Sequence, residues 1–174
     1  CRGQVKPMRY YPIFLDVRGQ RAVVVGGGKV AERKVRTLLR AGASVRVISP
    51  DLTRGLQRLR VQRKIRVALR RFRKADIGGG VQSSAPFLVF AATDDPAAQF
   101  AVRKDARAAG ALVNVADNVA DCDFIVPASF TRGNLHIAIS TSGNDPALAR
   151  FLRRQLAAGL RKGKGQRAKG KGQK

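Results

Sequence analysis

Hydrophobic and polar positions alternate between short β-branched runs and longer amphipathic stretches. Arg21–Val25 reads Arg-Ala-Val-Val-Val and is followed at once by three glycines, which predicts a buried strand stopped by a tight turn. Residues 29–41 carry Val30, Ala31, Val35, Leu38 and Leu39 on one side and Arg33, Lys34, Arg36 and Arg40 elsewhere, with Gly42 where a helix C-terminal cap belongs. Ser44–Ile48 alternates as a second strand. Residues 21–48 therefore read as strand, turn, helix and strand, a unit that requires parallel strands and a right-handed crossover. A short helix over 52–59, a strand over 64–69 and a Gly/Ser-rich loop over 78–85 follow. Residues 87–92 form the most apolar strand, expected to be central. Residues 96–109 read as a helix with Pro96 in its first turn, and 111–115 as a further strand. This alternation predicts a doubly wound α/β sheet.

After Asp117 the pattern changes. Residues 124–126 and 135–140 read as strands, joined by a Gly-containing connection. Asp145-Pro146 then opens a helix carrying Leu148, Phe151, Leu152 and Leu156, expected to fade at Gly159. The resulting plan has four parts. Residues 1–7 are an N-terminal extension and 8–117 the nucleotide-binding domain. Residues 118–160 are a small α+β unit for dimerisation and substrate, and 161–174 are a disordered basic tail.

Composition adds charge to this picture. The 174 residues hold 35 Lys+Arg against 11 Asp+Glu, a formal net charge of +24, with 44% hydrophobic residues. That apolar content supports a packed core and excludes disorder throughout. No apolar run approaches the ~20 residues that span a bilayer, and no apolar leader opens the chain, so the expectation is a soluble, cytoplasmic protein. Seven of the positive charges lie in residues 161–174, which hold no acid. A second basic run from Arg58 to Lys74 is interleaved with Val61, Ile65, Val67 and Leu69, which marks one charged face of a folded segment. With only Phe72 between its charges, it predicts no specific nucleic-acid partner. The tail suits weak, salt-dependent polyanion binding.

The chemistry concentrates at Gly26-Gly27-Gly28-Lys29-Val30-Ala31, which fits G-x-G-x-x-G/A between a strand and a helix. Glycines permit the tight turn and close backbone approach to a pyrophosphate, and a small residue lets helix and strand pack. The helix N-terminus supplies N–H donors to phosphate. Dinucleotide folds place an acid near the adenosine ribose; Asp51 is the nearest candidate and favours NAD, with Arg46 or Arg54 as alternatives for a 2′-phosphate. Asp51 also has a competing role as a helix cap.

Five segments occur in order: 8–16 (Met-Arg-Tyr-Tyr-Pro-Ile-Phe-Leu-Asp), 26–34 (Gly-Gly-Gly-Lys-Val-Ala-Glu-Arg-Lys), 92–95 (Ala-Thr-Asp-Asp), 114–117 (Asn-Val-Ala-Asp) and 140–146 (Ser-Thr-Ser-Gly-Asn-Asp-Pro). Together they resemble the precorrin-2 dehydrogenase family, the NAD-dependent module of siroheme synthase. The resemblance implies a Rossmann-like domain, a homodimer, and oxidation of precorrin-2 to sirohydrochlorin with hydride passing to NAD⁺. It places cofactor contacts on Gly26, Gly28, Lys29 and Val30 of the glycine loop, with Gly27 between them, and on Pro50 and Asp51. Thr93 and Asp94, at the carboxyl end of a central strand, lie where such sheets bind ligands, with helix capping before Pro96 as the other role for Asp94-Asp95, and Asn114 is expected to hold either the nicotinamide or the loop backbone. The resemblance carries the family's catalytic aspartate onto Asp117 and a substrate-facing loop onto Thr141 and Ser142. Some members also insert Fe²⁺ to make siroheme. Members usually continue past the helix near Leu156 into a further helical domain, whereas here the basic tail follows.

No resident metal is expected. Asp121-Cys122-Asp123 reads as a turn, because three consecutive side chains do not converge easily on one ion, and the single histidine, His136, reads as a strand-face residue. Two other readings compete: a non-catalytic NAD-binding module, and a polyanion binder driven by the tail.

Overall fold

The computed structural model describes residues 9–78, 85–116 and 118–162. The expectations for residues 1–7, for most of the 78–85 loop, for Asp117 and for the tail beyond Lys162 lie outside them. The described residues divide into two compact units, one over Pro12–Phe124 and a second that includes residues 125–162.

The first unit contains β1 (Arg21–Val25), α1 (Lys29–Arg40), β2 (Ser44–Ile48), α2 (Arg54–Val61), β3 (Arg66–Ala68), β4 (Leu88–Ala91), α3 (Pro96–Ala108) and β5 (Leu112–Val115). The five strands are parallel in the order β3-β2-β1-β4-β5, that of a Rossmann-type sheet. Period-2 alternation sorts each strand onto two cores. Ala22, Val24, Val45, Val47 and Phe90 face α1 and α2, where Ala31, Val35, Leu38, Leu56 and Leu59 are buried. Val23, Val25, Val89, Ala91 and Val113 face Val102 and Ala106 of α3. β1 is the middle strand; β4, expected at the centre, lies one place off it. Burial on both faces makes the two strands equally apolar, so hydrophobicity alone does not rank them.

The second unit contains β6 (Ala128–Arg132), β7 (Leu135–Ile139) and α4 (Pro146–Lys162), with the two strands paired antiparallel. Asp145 caps α4 by accepting from the Leu148 N–H at 2.8 Å. Two expectations fail here. Residues 124–126 are not a strand: the Phe124 ring meets Phe90 edge-on at 5.4 Å and its carbonyl accepts from Asn114 Nδ2, so Phe124 closes the first unit and the ladder starts at Ala128. Nor does α4 fade at Gly159. A helical Gly costs only ~1 kcal/mol, Leu160 extends the apolar stripe, and the Arg132 guanidinium holds the Leu160 carbonyl. Among the described residues no helix is long and apolar enough to cross a membrane.

One buried charge organises the segment after β3. Asp76 has a side chain 2% exposed and accepts from Arg70 at 2.6 and 2.8 Å, from Arg46 at 3.2 Å and from the Arg73 N–H at 2.8 Å. Burial pushes its carboxyl up, but the hydrogen bonds from Arg70 and Arg73 and the charges of Arg70 and Arg46 outweigh that and hold it below its ordinary 3.8. Because the folded value is the lower one, the stabilisation is present above the unfolded value and lost as pH falls through the folded one. Asp76→Asn is expected to destabilise by about 2 kcal/mol at neutral pH, because the amide keeps one acceptor oxygen but loses the charge that pairs with Arg70 and Arg46 and turns an N–H towards a donor. In urea unfolding, the gap to wild type narrows as pH drops from 6 towards 3 (~3.9 being the unperturbed Asp value).

Candidate functional site

Three loops meet at the carboxyl ends of β1, β2 and β4. Gly26 has φ +121°, and a Cβ there would lie 2.0 Å from the Ala92 carbonyl oxygen. A Cβ on Gly27 would lie 1.8 Å from the Asp51 carbonyl oxygen. The Gly26 N–H donates to Ile48 O at 2.9 Å, and the Thr53 N–H donates to Gly27 O at 3.0 Å. The first two glycines thus bring protein backbone against protein backbone. Gly28 differs: a Cβ there would meet nothing within 4 Å, and it stands exposed as the N-cap of α1 with no side chain capping the helix. Ala31, at the small position of the motif, is fully buried against the sheet.

These residues fit a dinucleotide pyrophosphate. The N-terminus of α1 has no side-chain cap and free space around Gly28, and an anion there would complete the helix terminus. The acid in that first turn, Glu32, is held elsewhere. It accepts from Thr53 Oγ1 at 2.6 Å and from Arg36 Nε at 2.8 Å, which lower its pKa in that order, against a smaller opposing effect of burial. A groove of about 920 Å³ beginning at Lys29 is rimmed by Arg33, Arg36, Arg40 and Lys64, so the field beside the cradle is positive.

Gly28, Pro50, Asp51, Thr93 and Asp94 belong to these three loops, Lys29 and Val30 open α1, and Gly26 and Gly27 form the close backbone contacts. The Asp51 side chain is exposed and does not cap α2; Thr53 does, accepting from Leu56 N at 3.2 Å. Arg46 is committed to Asp76, which leaves Arg54 as the cation at the start of α2. In the Asp94-Asp95 pair, Asp95 caps α3 through the Ala97 and Ala98 N–H groups, and the Asp94 side chain stands exposed at the edge. The Thr93 carbonyl accepts from Gln99 Nε2 at 2.6 Å.

Asn114 sits deeper than its candidate role suggests. It is 6% exposed, accepts from Lys34 Nζ at 2.7 Å and donates to Phe124 O at 3.0 Å. Lys34, missed by sequence reasoning, also stands 4.9 Å from the Phe90 ring centroid. Its signal was its place beside the buried stripe Ala31, Val35 and Leu38, where a lysine needs a partner. Asp117 lies outside the described residues. Thr141 and Ser142 belong to the second unit, where Thr141 Oγ1 exchanges hydrogen bonds with the Asp145 backbone and Ser142 adopts φ +56°. Asp121 pairs with Arg103 and accepts from Asn118, Asp123 pairs with Arg107 and accepts from Val113 N, and His136 faces Thr131 across the hairpin.

A family model described as "Putative NAD(P)-binding" matches residues 13–128, and one described as "Sirohaem biosynthesis protein central" matches 132–158. The siroheme synthase of Nitrosococcus oceani is 45% identical over 149 residues, covering 86% of this chain and 31% of that protein. Siroheme synthase 1 of Serratia proteamaculans is 42% identical over 161 residues, covering 92% and 33%. The solved structure of SirC, a precorrin-2 dehydrogenase, superposes with TM-score 0.73 at 30% identity, covering 86% of this chain and 71% of SirC. The chain belongs to the precorrin-2 dehydrogenase family of sirohaem biosynthesis. It spans about a third of the length of the curated siroheme synthases it matches. The NAD(P)-binding match takes in all five parallel strands and the glycine cradle, and the sirohaem match takes in β7 and most of α4.

The three glycines predict different defects in this family member. Gly26→Ala and Gly27→Ala collide with backbone and are expected to lower the melting temperature by several degrees. Gly28→Asp finds room, keeps the fold, and repels phosphate; NADH affinity by fluorescence titration is expected to fall at least tenfold (~1.4 kcal/mol) with the melting temperature unchanged.

Proposed function

We propose that this chain binds NAD and oxidises precorrin-2 to sirohydrochlorin. The observation that carries the reading is the open cradle at Gly28, set in a sheet that superposes on SirC at TM-score 0.73. Bound NAD⁺ supplies the hydride acceptor. The N–H groups of α1 and Lys29 hold its pyrophosphate. Val30 and Pro50 line the cofactor's path, and Asp51 accepts from the adenosine ribose. Thr93, Asp94 and Asn114 serve the nicotinamide side. Dehydrogenation removes one hydride and one proton; Asp117 takes the proton as general base. Thr141 and Ser142 meet the carboxylates of the macrocycle, and the net charge of +24 steers this polyanion inward.

The functional unit in this reading is a homodimer. On α4, Leu148, Phe151, Leu152, Leu156 and Leu160 remain exposed at helical spacing, a stripe suited to a second copy. Leu156→Glu is expected to shift sedimentation from dimer to monomer.

Incubation with precorrin-2 and NAD⁺, followed by sirohydrochlorin absorbance, tests the activity. Asp117→Asn is expected to lower kcat by about 100-fold or more with NADH affinity preserved. NADH binding without any turnover in the wild type would instead identify a non-catalytic cofactor module. Asp51→Asn is expected to weaken NAD binding and narrow its preference over NADP, read as the ratio of the two dissociation constants.

A further inference from the structure

The Cys122 thiol is 8% exposed and packs in the apolar core shared with α3, just beyond β5, with backbone and amide groups within reach of its sulfur. Its Sγ accepts from the Val115 N–H at 3.2 Å and from Asn114 Nδ2 at 3.5 Å. The Val115 and Asn118 carbonyl oxygens lie 3.3 and 3.2 Å from it and share its one proton. Val115 is the last residue of β5 and Asn118 follows Asp117 in the chain. One side chain therefore ties both ends of the 115–118 segment together. The tie is anchored on either side. The Asp123 N–H donates to Val113 O at 2.9 Å, the Asp123 carboxylate accepts from Val113 N at 3.0 Å, and Arg107 holds that carboxylate at 2.7 Å. Asn114 spans from Lys34 to Phe124 O across the same ground. Most buried cysteines pack as small hydrophobes; this one also bonds the backbone at both ends of a single short loop.

We propose that Cys122 is a positioning residue for the dehydrogenation, fixing the two ends of the loop that carries Asp117. This rests on Asp117 being the general base. A base acts only within hydrogen-bond reach of its proton, and a misplacement of ~1 Å costs on the order of 100-fold in rate. Among the residues assigned to the cofactor Cys122 touches only Asn114, at a long 3.5 Å, and Lys34 and the Phe124 carbonyl hold that amide independently, so its loss is read in kcat and not in cofactor affinity.

The test compares Cys122→Ala, Cys122→Val and Cys122→Ser in the full chain, measuring kcat and KM for precorrin-2 and the NADH dissociation constant. Alanine and valine are expected to lower kcat at least tenfold, with NADH affinity within twofold and KM within threefold. Serine keeps a donor and an acceptor and is expected to stay within threefold of wild-type kcat. Valine retains side-chain bulk, so it decides the matter where alanine does not fold. Wild-type kcat in a folded alanine or valine variant overturns the proposal. So does an equal loss in all three, which would mean that sulfur volume matters and hydrogen bonding does not, or a parallel loss of NADH affinity. Asp117→Asn with unchanged turnover, or a wild type without turnover, refutes the underlying reading and the positioning role with it; the Cys122 variants produce neither result.

Discussion

At the carboxyl ends of β1, β2 and β4 there is no room for a side chain between loops. The Gly26 backbone abuts the Ala92 carbonyl and the Gly27 backbone abuts the Asp51 carbonyl, each closer than any Cβ allows. The register of the three inner strands, the start of α1 and the placement of the loops after β2 and β4 all follow from this contact. A sheet ordered β3-β2-β1-β4-β5 changes winding direction between β1 and β4, and a ligand crevice opens at such a point. Packing and ligand approach are thus divided among adjacent glycines. Two tighten the floor, and the third leaves the floor open to an anion.

Charge is distributed with similar economy. Acids near the cradle are engaged with protein partners: Glu32 with Thr53 and Arg36, and Asp95 with the start of α3. Of the two arginines considered for the adenosine end, Arg46 is held by Asp76 and Arg54 alone stays at the start of α2. Asp51 and Asp94 stand exposed at the edge, and a separate basic groove runs along α1 from Lys29. The excess of cations on the chain is therefore compatible with selective placement of a few carboxylates.

The β1-turn-α1-β2 unit was legible in the sequence because three independent signals coincide there: a β-branched run, a glycine turn and a capped amphipathic helix. The glycine cradle was legible for the same reason. Other features depend on contacts that no local pattern reports. Phe124 looks like the start of a strand, but its ring is claimed by Phe90 and its carbonyl by Asn114. Gly159 looks like a helix stop, yet Leu160 continues the stripe and Arg132 holds its carbonyl. Asn114 was noticed as a candidate ligand contact, whereas its buried amide also joins α1 to the segment after β5. Cys122 was read as a turn residue; its bonds to Val115 and Asn118 appear only when the chain folds back on β5.

Gly55 illustrates how such constraints bind distant positions together. A Cβ there would lie 1.9 Å from the Glu32 carboxylate, which is itself anchored by the Thr53 hydroxyl and by Arg36. The identities at 32, 53 and 55 are consequently not separate choices. A larger residue at 55 becomes acceptable only after the acid at 32 has shortened or turned away, and turning away would free a negative charge in the first turn of α1. Drift across this helix pair is expected to proceed in an order, with position 32 changing before position 55. The history of α2 is in this way tied to the electrostatics of the cofactor cradle.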